Sequence, residues 1–297
     1  MSPLVTVAVV TYNQEAHLED CVRSILAQDY PNFEVVVADD ASTDGTAKVL
    51  ERLDRENPGK LVILRNEQNR GVTGNHNVAL GACRGDYICW IGGDDLMLPG
   101  KLSAQVRHME ANPDCVICYH DVELFDDETG RKLQLWSEFD RPRRGTFETL
   151  VRRGHFNAGI SSMVRASASP RQFDPSVPTA SDWLYFVECL AGGGTIEPIP
   201  GVHARQRRYD ANVTASPDAS QPPHLLLDHL KSCAIILGRW PHSAPLVRYR
   251  MARLLLMQRW QDRGAHYAEF LKASLSMRFS PKVFAALVAH RLFGVRR

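Results

Sequence analysis

Val5-Thr6-Val7-Ala8-Val9-Val10-Thr11-Tyr12-Asn13 begins the chain with a run that is apolar at almost every position and then turns abruptly polar. A continuous β-branched run without alternation is the pattern of a strand covered on both faces. Leu18, Cys21, Val22, Ile25 and Leu26 follow at helix spacing, and then a second run of the same kind, Phe33–Ala38. Strand, helix and strand in this order start a βαβ series. Outward from there the alternation continues. A helix carries Ala47, Leu50 and Leu53, then come a strand Leu61–Leu64, a helix near Gly74–Cys83, a strand Tyr87–Ile91, a helix Lys101–Ala111 and a strand Cys115–Tyr119. The expected architecture is α/β, with a mostly parallel central sheet flanked by helices. Ligands of such sheets gather at the carboxyl ends of the strands, so the residues just after each strand are the ones to read for chemistry.

The 297 residues are 44% hydrophobic and 23% charged, enough to bury one sizeable core or two modest ones. That composition excludes a disulfide mini-protein and a disordered tail. With 35 Lys+Arg against 34 Asp+Glu, the formal charge is +1, so no net field holds the chain on nucleic acid or an anionic surface, and binding must come from local sites. No uncharged apolar run reaches the roughly 18 to 20 residues that span a bilayer, and Met1-Ser2-Pro3 lacks a basic, then apolar, leader pattern. The expectation is a soluble, non-secreted, cytoplasmic protein. Seven cysteines at irregular spacing argue against a disulfide framework. Cys115-Val116-Ile117-Cys118 lies in a β-favouring run, where side chains three apart point to opposite faces, so reduced core thiols are expected.

Between Asp121 and Pro200 the pattern becomes irregular. It holds the polar stretch Phe125–Lys132, the basic turn Arg141-Pro142-Arg143-Arg144-Gly145, a strand-like Ile160–Val164 and a helical Asp182–Leu190. Residues 1–215 are expected to form one domain, with a first half to about 120 and a second from about 121. Ser216–Pro223 reads as a linker, and 224–297 as a helical, locally basic C-terminal extension.

Each strand exit is polar. Two pairs of adjacent carboxylates, Asp39-Asp40 and Asp94-Asp95, stand at neighbouring exits, and such pairs suit hydrogen bonding to a base or ribose and coordination of Mg²⁺ or Mn²⁺. Gly92 and Gly93 let the backbone approach a ligand closely. Against this stand simpler readings: Ser42, Thr43 and Asp44 as a helix cap, Asp39 and Asp40 as salt-bridge partners, and Asp94-Asp95 as a turn. The first strand is followed by neither GxGxxG nor GxxxxGK[ST], so no glycine loop holds phosphates. An aspartyl phosphotransferase is disfavoured because Ala41 stands two residues after Asp39, where that chemistry wants an acid.

In sum, Val9-Val10-Thr11-Tyr12-Asn13, Asp39-Asp40-Ala41-Ser42-Thr43-Asp44-Gly45-Thr46, Asn69-Arg70-Gly71-Val72 with Asn77-Val78-Ala79-Leu80, and Gly93-Asp94-Asp95 before Leu98-Pro99 come in an order and spacing that resemble the family 2 glycosyltransferases of GT-A fold, over about residues 3 to 214. The resemblance implies an inverting transfer of sugar from a nucleoside diphosphate donor, UDP-sugar by default, to a hydroxyl of a glycan or lipid-linked acceptor in cell-surface polysaccharide synthesis. It implies that Thr11 and Asn13 border the nucleobase and that Asp40 hydrogen-bonds it, with Asp39 nearby. Asp94 falls where the family's metal-binding acid sits, followed by Asp95, while Gly92 replaces the earlier acid of a D-x-D.

Thr179-Ala180-Ser181-Asp182-Trp183-Leu184 looks like the acceptor-side segment, with Asp182 as general base and Trp183 either stacked on an acceptor sugar or packed under the base. A sugar hydroxyl is a poor nucleophile and needs a carboxylate to take its proton. The alternative is a helix cap by Ser181 or Asp182. Arg205-Gln206-Arg207-Arg208-Tyr209-Asp210-Ala211-Asn212 resembles the basic segment R-x-H-x-x-N, with Tyr209 at the His position and Arg207 or Arg208 set to neutralise the leaving diphosphate. His120, Asp121 and His155 are read as structural. The rivals are a nucleotidyltransferase of similar fold and a non-catalytic sugar-nucleotide-binding protein. In the extension, Val283, Leu287 and Phe293, with Phe284, Ala285 and Leu292, lie among Lys282, His290, Arg291, Arg296 and Arg297. This face either docks on the rest of the protein or makes peripheral contact at the inner face of a membrane.

Overall fold

A computed structural model describes residues 2–139, 143–154, 158–209, 223–259 and 266–293. The first apolar run becomes β1 (Val5–Thr11), with every side chain but Val10 buried. The helix spacing after it becomes α1 (Leu18–Leu26), which turns Leu18, Cys21, Val22 and Ile25 inward. β2 (Phe33–Asp39), α2 (Thr46–Glu56), β3 (Leu61–Arg65), α3 (Gly71–Ala82) and β4 (Tyr87–Gly92) complete the expected series. β1 pairs in parallel with β2 on one side and β4 on the other, and β2 pairs in parallel with β3. Valines 5, 7 and 9 of β1, valines 35 and 37 of β2 and the inward residues of α1 form one core. At roughly 1.5–3 kcal/mol for each large side chain taken out of water, this layer is a principal source of stability for the sheet.

After a two-residue β5 (Leu96–Met97), α4 spans Lys101–Ala111, the residues expected of it. The sheet then departs from the expected pattern. β6 runs from Cys115 through Asp126, well past Tyr119, and β7 (Lys132–Leu135) folds back on it. The polar stretch after Phe125 is the turn of this hairpin: Asp126 Oδ1 accepts the Thr129 N–H at 2.9 Å, and Gly130 adopts φ 65°. Short helices α5 (Trp136–Phe139) and α6 (Phe147–Arg153) precede β8 (Ser162–Arg165) and α7 (Asp182–Cys189).

β9 (Thr195–Arg208) was not expected as a strand at all, yet it pairs in parallel with β6 along most of its length. Pro198, Pro200 and Gly201 hide it in the sequence, and register shifts at Cys115/Ile117, Tyr119/Asp121 and Asp121/Val122 accommodate them. The strand order is β3-β2-β1-β4-β8-β6-β9-β5, with β7 beside β6. β8 runs antiparallel to both β4 and β6, and β5 antiparallel to β9.

The chain divides into two compact units, residues 1–147 with 155–212, and 148–154 with 213–297. The expected linker falls at residues 216–222, outside the described residues, as do His155 and Arg141; Pro223 already opens α8 (Pro223–Arg239). α9 (Ala244–Met257), α10 (Tyr267–Met277) and α11 (Pro281–Phe293) complete the second unit. There Arg250 of α9 donates to the Arg153 carbonyl at 2.9 Å. Gly154, at φ 84°, leaves room for that guanidinium, which a Cβ would meet at 2.5 Å. Tyr267 and Leu271 of α10 and Leu287 of α11 form a small core with Val283 packed against it. Phe279, Phe284 and Val288 stay exposed at 66%, 49% and 38%. Arg296 and Arg297 lie outside the described residues. Among the described residues no helix is long and apolar enough to cross a membrane.

Candidate active site

The exits of β1 and β2 are locked together by side chains. Asn13 and Ala41 both adopt left-handed backbone, at φ 52° and 59°, a conformation that costs non-glycine residues about 1–3 kcal/mol and collects at functional sites. The Asn13 N–H donates to Ser42 Oγ at 2.9 Å, and Asn13 Oδ1 accepts the Thr43 N–H at 2.8 Å. Thr11, buried, donates through Oγ1 to Gln14 Oε1 at 2.8 Å, and its carbonyl accepts the Asp40 N–H at 3.0 Å. Ser42 and Thr43 therefore shape the loop, while Asp44 Oδ1 accepts the N–H of Thr46, the first residue of α2, at 2.9 Å.

The two adjacent acids there are not equivalent. Asp40 Oδ1 accepts from Asn66 Nδ2 and from the Arg70 N–H, both at 2.8 Å, which ties the exit of β2 to the start of α3. Asp39 is fully buried, and its Oδ1 accepts the N–H and the hydroxyl of Ser42. Its Oδ2 accepts no hydrogen bond from the described residues, although Arg65 Nε lies 3.6 Å away. A buried carboxylate oxygen in that state is a ready acceptor for a ligand N–H.

At the exit of β4 the two aspartates converge. A Cβ placed on Gly92 would lie 2.7 Å from Asp94 Oδ1 and 3.6 Å from Asp95 Oδ2. The absent first acid of the D-x-D would thus occupy space that Asp94 already uses. Asp94 Oδ2 accepts the Tyr209 hydroxyl at 2.8 Å, and Asp95 Oδ1 accepts the Arg207 N–H at 2.9 Å. Burial, and then the Asp94 charge, push the Asp95 carboxyl well above the usual carboxylate range, with the Arg207 N–H and the Arg208 and Arg207 charges opposing. Two hard carboxylate oxygens facing one space fit a divalent cation.

The neighbouring arginines take different positions along β9. Arg207 is buried, with Nε on the Asp94 carbonyl at 2.8 Å, Nη1 paired with Asp127 and its guanidinium 4.9 Å from the Phe125 ring centre. Arg208 feels the Asp95 and Asp94 charges, although burial lowers its pKa. The pairing of β5 with β9 brings these arginines to the acids.

On the acceptor side, Ser181 makes no cap. Its hydroxyl hydrogen-bonds Thr73 Oγ1 at 2.7 Å, and Thr73, on α3, also donates to the Val177 carbonyl at 2.6 Å. Asn75, two residues on, donates to the Ala38 carbonyl at 2.9 Å. One turn of α3 thereby joins the exit of β2 to the start of α7. Asp182 is half-buried there, with Oδ1 accepting the Trp183 N–H at 2.8 Å. Its charge reaches His76, whose imidazole pKa burial pushes down while the Val72 carbonyl and Asp182 oppose. Trp183 is 0% exposed. It packs inside the protein and offers no face to an acceptor sugar, which corrects the stacking expected of it.

Sequence reasoning missed Gln14, Thr73, His76 and Asp127. Only Asp127 had a weak signal, as an acid in a polar stretch; the others sit at positions whose role depends on what the fold brings near. His17 lies 3.5 Å from Asp127 and 5.3 Å, ring to ring, from Tyr209.

An α/β sheet with paired acids at its strand exits and an arginine strand closing over them is the arrangement of a nucleotide-sugar transferase fold. Its solved neighbours include TarS of S. aureus in complex with UDP, with TM-score 0.64 and 19% identity over 97% of this chain and 84% of that one. A mannosyltransferase of Pyrobaculum calidifontis in complex with GDP-Man and Mn²⁺ gives TM-score 0.64 and 22% identity over 98% and 80%. The fold is GT-A. The model of glycosyl transferase family 2 matches residues 6–171, and the chain belongs to that family. Among curated relatives, the putative teichuronic acid biosynthesis glycosyltransferase TuaG of Bacillus subtilis is 34% identical over 36% of this chain and 42% of its own. The matches to the first of those relatives span 58% to 65% of their length.

Proposed function

We propose that the protein is an inverting, metal-dependent glycosyltransferase that moves a sugar from a nucleoside diphosphate donor, UDP-sugar first among them, to a hydroxyl of a glycan or lipid-linked acceptor in cell-surface polysaccharide synthesis. The observation that carries this reading is the convergence of Asp94 and Asp95 over Gly92 at the exit of β4. TarS bound to UDP and the mannosyltransferase bound to GDP-Man and Mn²⁺ support the donor class and the cation, and TuaG supports the acceptor class.

In this reading Asp94 and Asp95 hold Mg²⁺ or Mn²⁺, which when bound supplies positive charge to the diphosphate. Asp39 accepts the nucleobase N–H through Oδ2, whereas Asp40 Oδ1 serves Asn66 and Arg70. Thr11 and Asn13 shape the wall beside the base. Arg208 faces the diphosphate, while Arg207 braces Asp94 and Asp127. Asp182 takes the acceptor proton as the hydroxyl oxygen attacks the anomeric carbon and the nucleoside diphosphate departs in line. Gly92 and Tyr209, the two departures from the family pattern, would favour a non-catalytic sugar-nucleotide-binding protein, but Asp94 occupies the space over Gly92 and Tyr209 donates to it.

A panel of UDP-, dTDP- and GDP-sugars, each with Mn²⁺ or Mg²⁺, tests the reading by thermal stabilisation and by donor turnover. A donor well above its Kd should add a few kcal/mol to stability. Failure of every donor to stabilise the protein in the presence of metal overturns it. The assignment of the base contact has its own test: Asp39→Asn should weaken donor binding about tenfold or more with little loss of stability. Asp40→Ala, which strands the Arg70 N–H and the Asn66 amide, should lower stability by about 1–3 kcal/mol. Donor affinity unchanged in Asp39→Asn removes Asp39 from the site.

The second unit supports peripheral contact with an anionic membrane surface. Phe279, Phe284 and Val288 are exposed beside Arg278, Lys282 and Arg291, while Val283 and Leu287 on the same helix are used for packing. An apolar face bordered by cations suits an interface whose attraction is screened by salt. The protein should co-sediment with anionic liposomes at low salt, and Phe279→Ser with Phe284→Ser should lose most of that binding while donor turnover persists. Equal sedimentation of the two proteins assigns the face elsewhere.

A further inference from the structure

Far from the strand exits, three chemically different metal-ligand side chains meet at the start of β6. His108 from the last turn of α4, Cys115 as the first residue of β6 and Glu197 from β9 place one ligand atom each within 4.8 Å of the others. We propose that His108, Cys115 and Glu197 form a binding site for a divalent cation of the zinc type, with water as a fourth ligand, that clasps α4 to β6 and β9. The site is independent of the glycosyltransferase reading.

The donor set argues for this class of ion. Thiolate, imidazole and carboxylate together are zinc's ligands, whereas the two carboxylates at Asp94 and Asp95 suit a hard ion. The ligands sit on a helix and two strands, which position side chains more firmly than loops do. Their supports are also in place. Thr195 Oγ1 donates to Glu197 Oε1 at 2.6 Å and Arg144 Nη2 lies 3.1 Å from the same oxygen, while Oε2 faces His108 Nε2 at 3.1 Å. Oriented outer partners of this kind fix a ligating carboxylate. The segments themselves are pinned, since the Thr195 N–H donates to the Asp114 carbonyl at 2.9 Å and Gly145 bridges Ile196.

In the metal-free protein the Cys115 thiol donates to the Ile117 carbonyl at 3.2 Å. On binding, the thiol proton leaves to solvent and the sulfur ligates as thiolate, while the proton between His108 Nε2 and Glu197 Oε2 passes to Nδ1 or to solvent, so that both atoms are freed to bond the cation. Cys115 is fully buried but His108 is 24% exposed, so the ion enters from the side of the helix. β6 runs on from Cys115 to Asp126, roughly 35 Å of extended chain, which makes the role one of bracing the sheet rather than of chemistry on the sugar.

Cobalt titration of the full chain tests the proposal, after dialysis against chelator with a non-thiol reductant and with excess Mg²⁺ present to fill any hard-ion site. One equivalent of Co²⁺ should give a thiolate-to-cobalt charge-transfer band, and zinc should abolish it by displacement. Cys115→Ser should remove the band, Cys118→Ser and Asp94→Asn should keep it, and His108→Ala should weaken Co²⁺ binding at least about tenfold. If Cys115→Ser does not fold, Glu197→Gln replaces it and should weaken binding by a similar factor with the band retained at saturation. No band in the unaltered protein, a band that survives Cys115→Ser, or Co²⁺ affinity unchanged in both His108→Ala and Glu197→Gln overturns the site.

Discussion

Asp182→Asn is expected to lower kcat by about two to four orders of magnitude while leaving donor affinity close to that of the unaltered protein, the usual loss when a positioned base is removed. Asparagine keeps the size of the side chain, and its carbonyl oxygen still accepts the Trp183 N–H that Asp182 Oδ1 now accepts. The start of α7 also stays anchored, because the Thr73–Ser181 hydrogen bond is untouched. Only the capacity to take a proton is lost, so kcat falls and the donor's binding constant does not. Steady-state rates across acceptor concentrations, with donor affinity measured separately, give both quantities. A loss of tenfold or less would make Asp182 a residue of the helix start.

Asp94→Ala should abolish metal-stimulated donor binding and the stabilisation that donor and Mn²⁺ give together. The same change removes the charged acceptor of the Tyr209 hydroxyl, at a cost of about 1.5–3 kcal/mol. Asp94→Asn separates the two effects, because its carbonyl still accepts from Tyr209 while its charge is gone. Both variants should fail to respond to metal, and the asparagine form should keep more of its stability. Metal-dependent turnover at the original rate in either variant would remove Asp94 from the cation site.

How much of this was legible in the sequence varied along the chain in a way that physics explains. β1, β2 and β4 could be read because strands covered on both faces need unbroken apolar runs, the edge strand β3 was read from the short apolar run Leu61–Leu64, and α4 was placed to the residue by its spacing. β9 could not be read, since two prolines and a glycine mimic a loop and only a bulged partner strand reveals the pairing. Which exits carry acids was also legible. The division of work between Asp39 and Asp40 was not, because it depends on Asn66 and Arg70, brought in from after β3. Trp183 misled for a related reason. α7 buries Trp183, Leu184, Tyr185, Phe186 and Val187 in succession, and a helix covered all round carries no stripe to say which aromatic faces out.

The position of β9 also bears on the order in which the chain acquires its competence. Among the described residues β9 is the last strand in the chain, yet it is inserted between β6 and β5, and the Tyr209–Asp94 contact closes a loop of 115 residues. On the ribosome, β1 through β4 can assemble as soon as they emerge, but the acids at the exit of β4 stay without their arginine and tyrosine neighbours until the chain has been synthesised past residue 209. Long-range pairings of this kind form late and slowly. A nascent or truncated chain ending before β9 would therefore lack the Tyr209 hydroxyl and the Arg207 N–H that the acids at the exit of β4 accept.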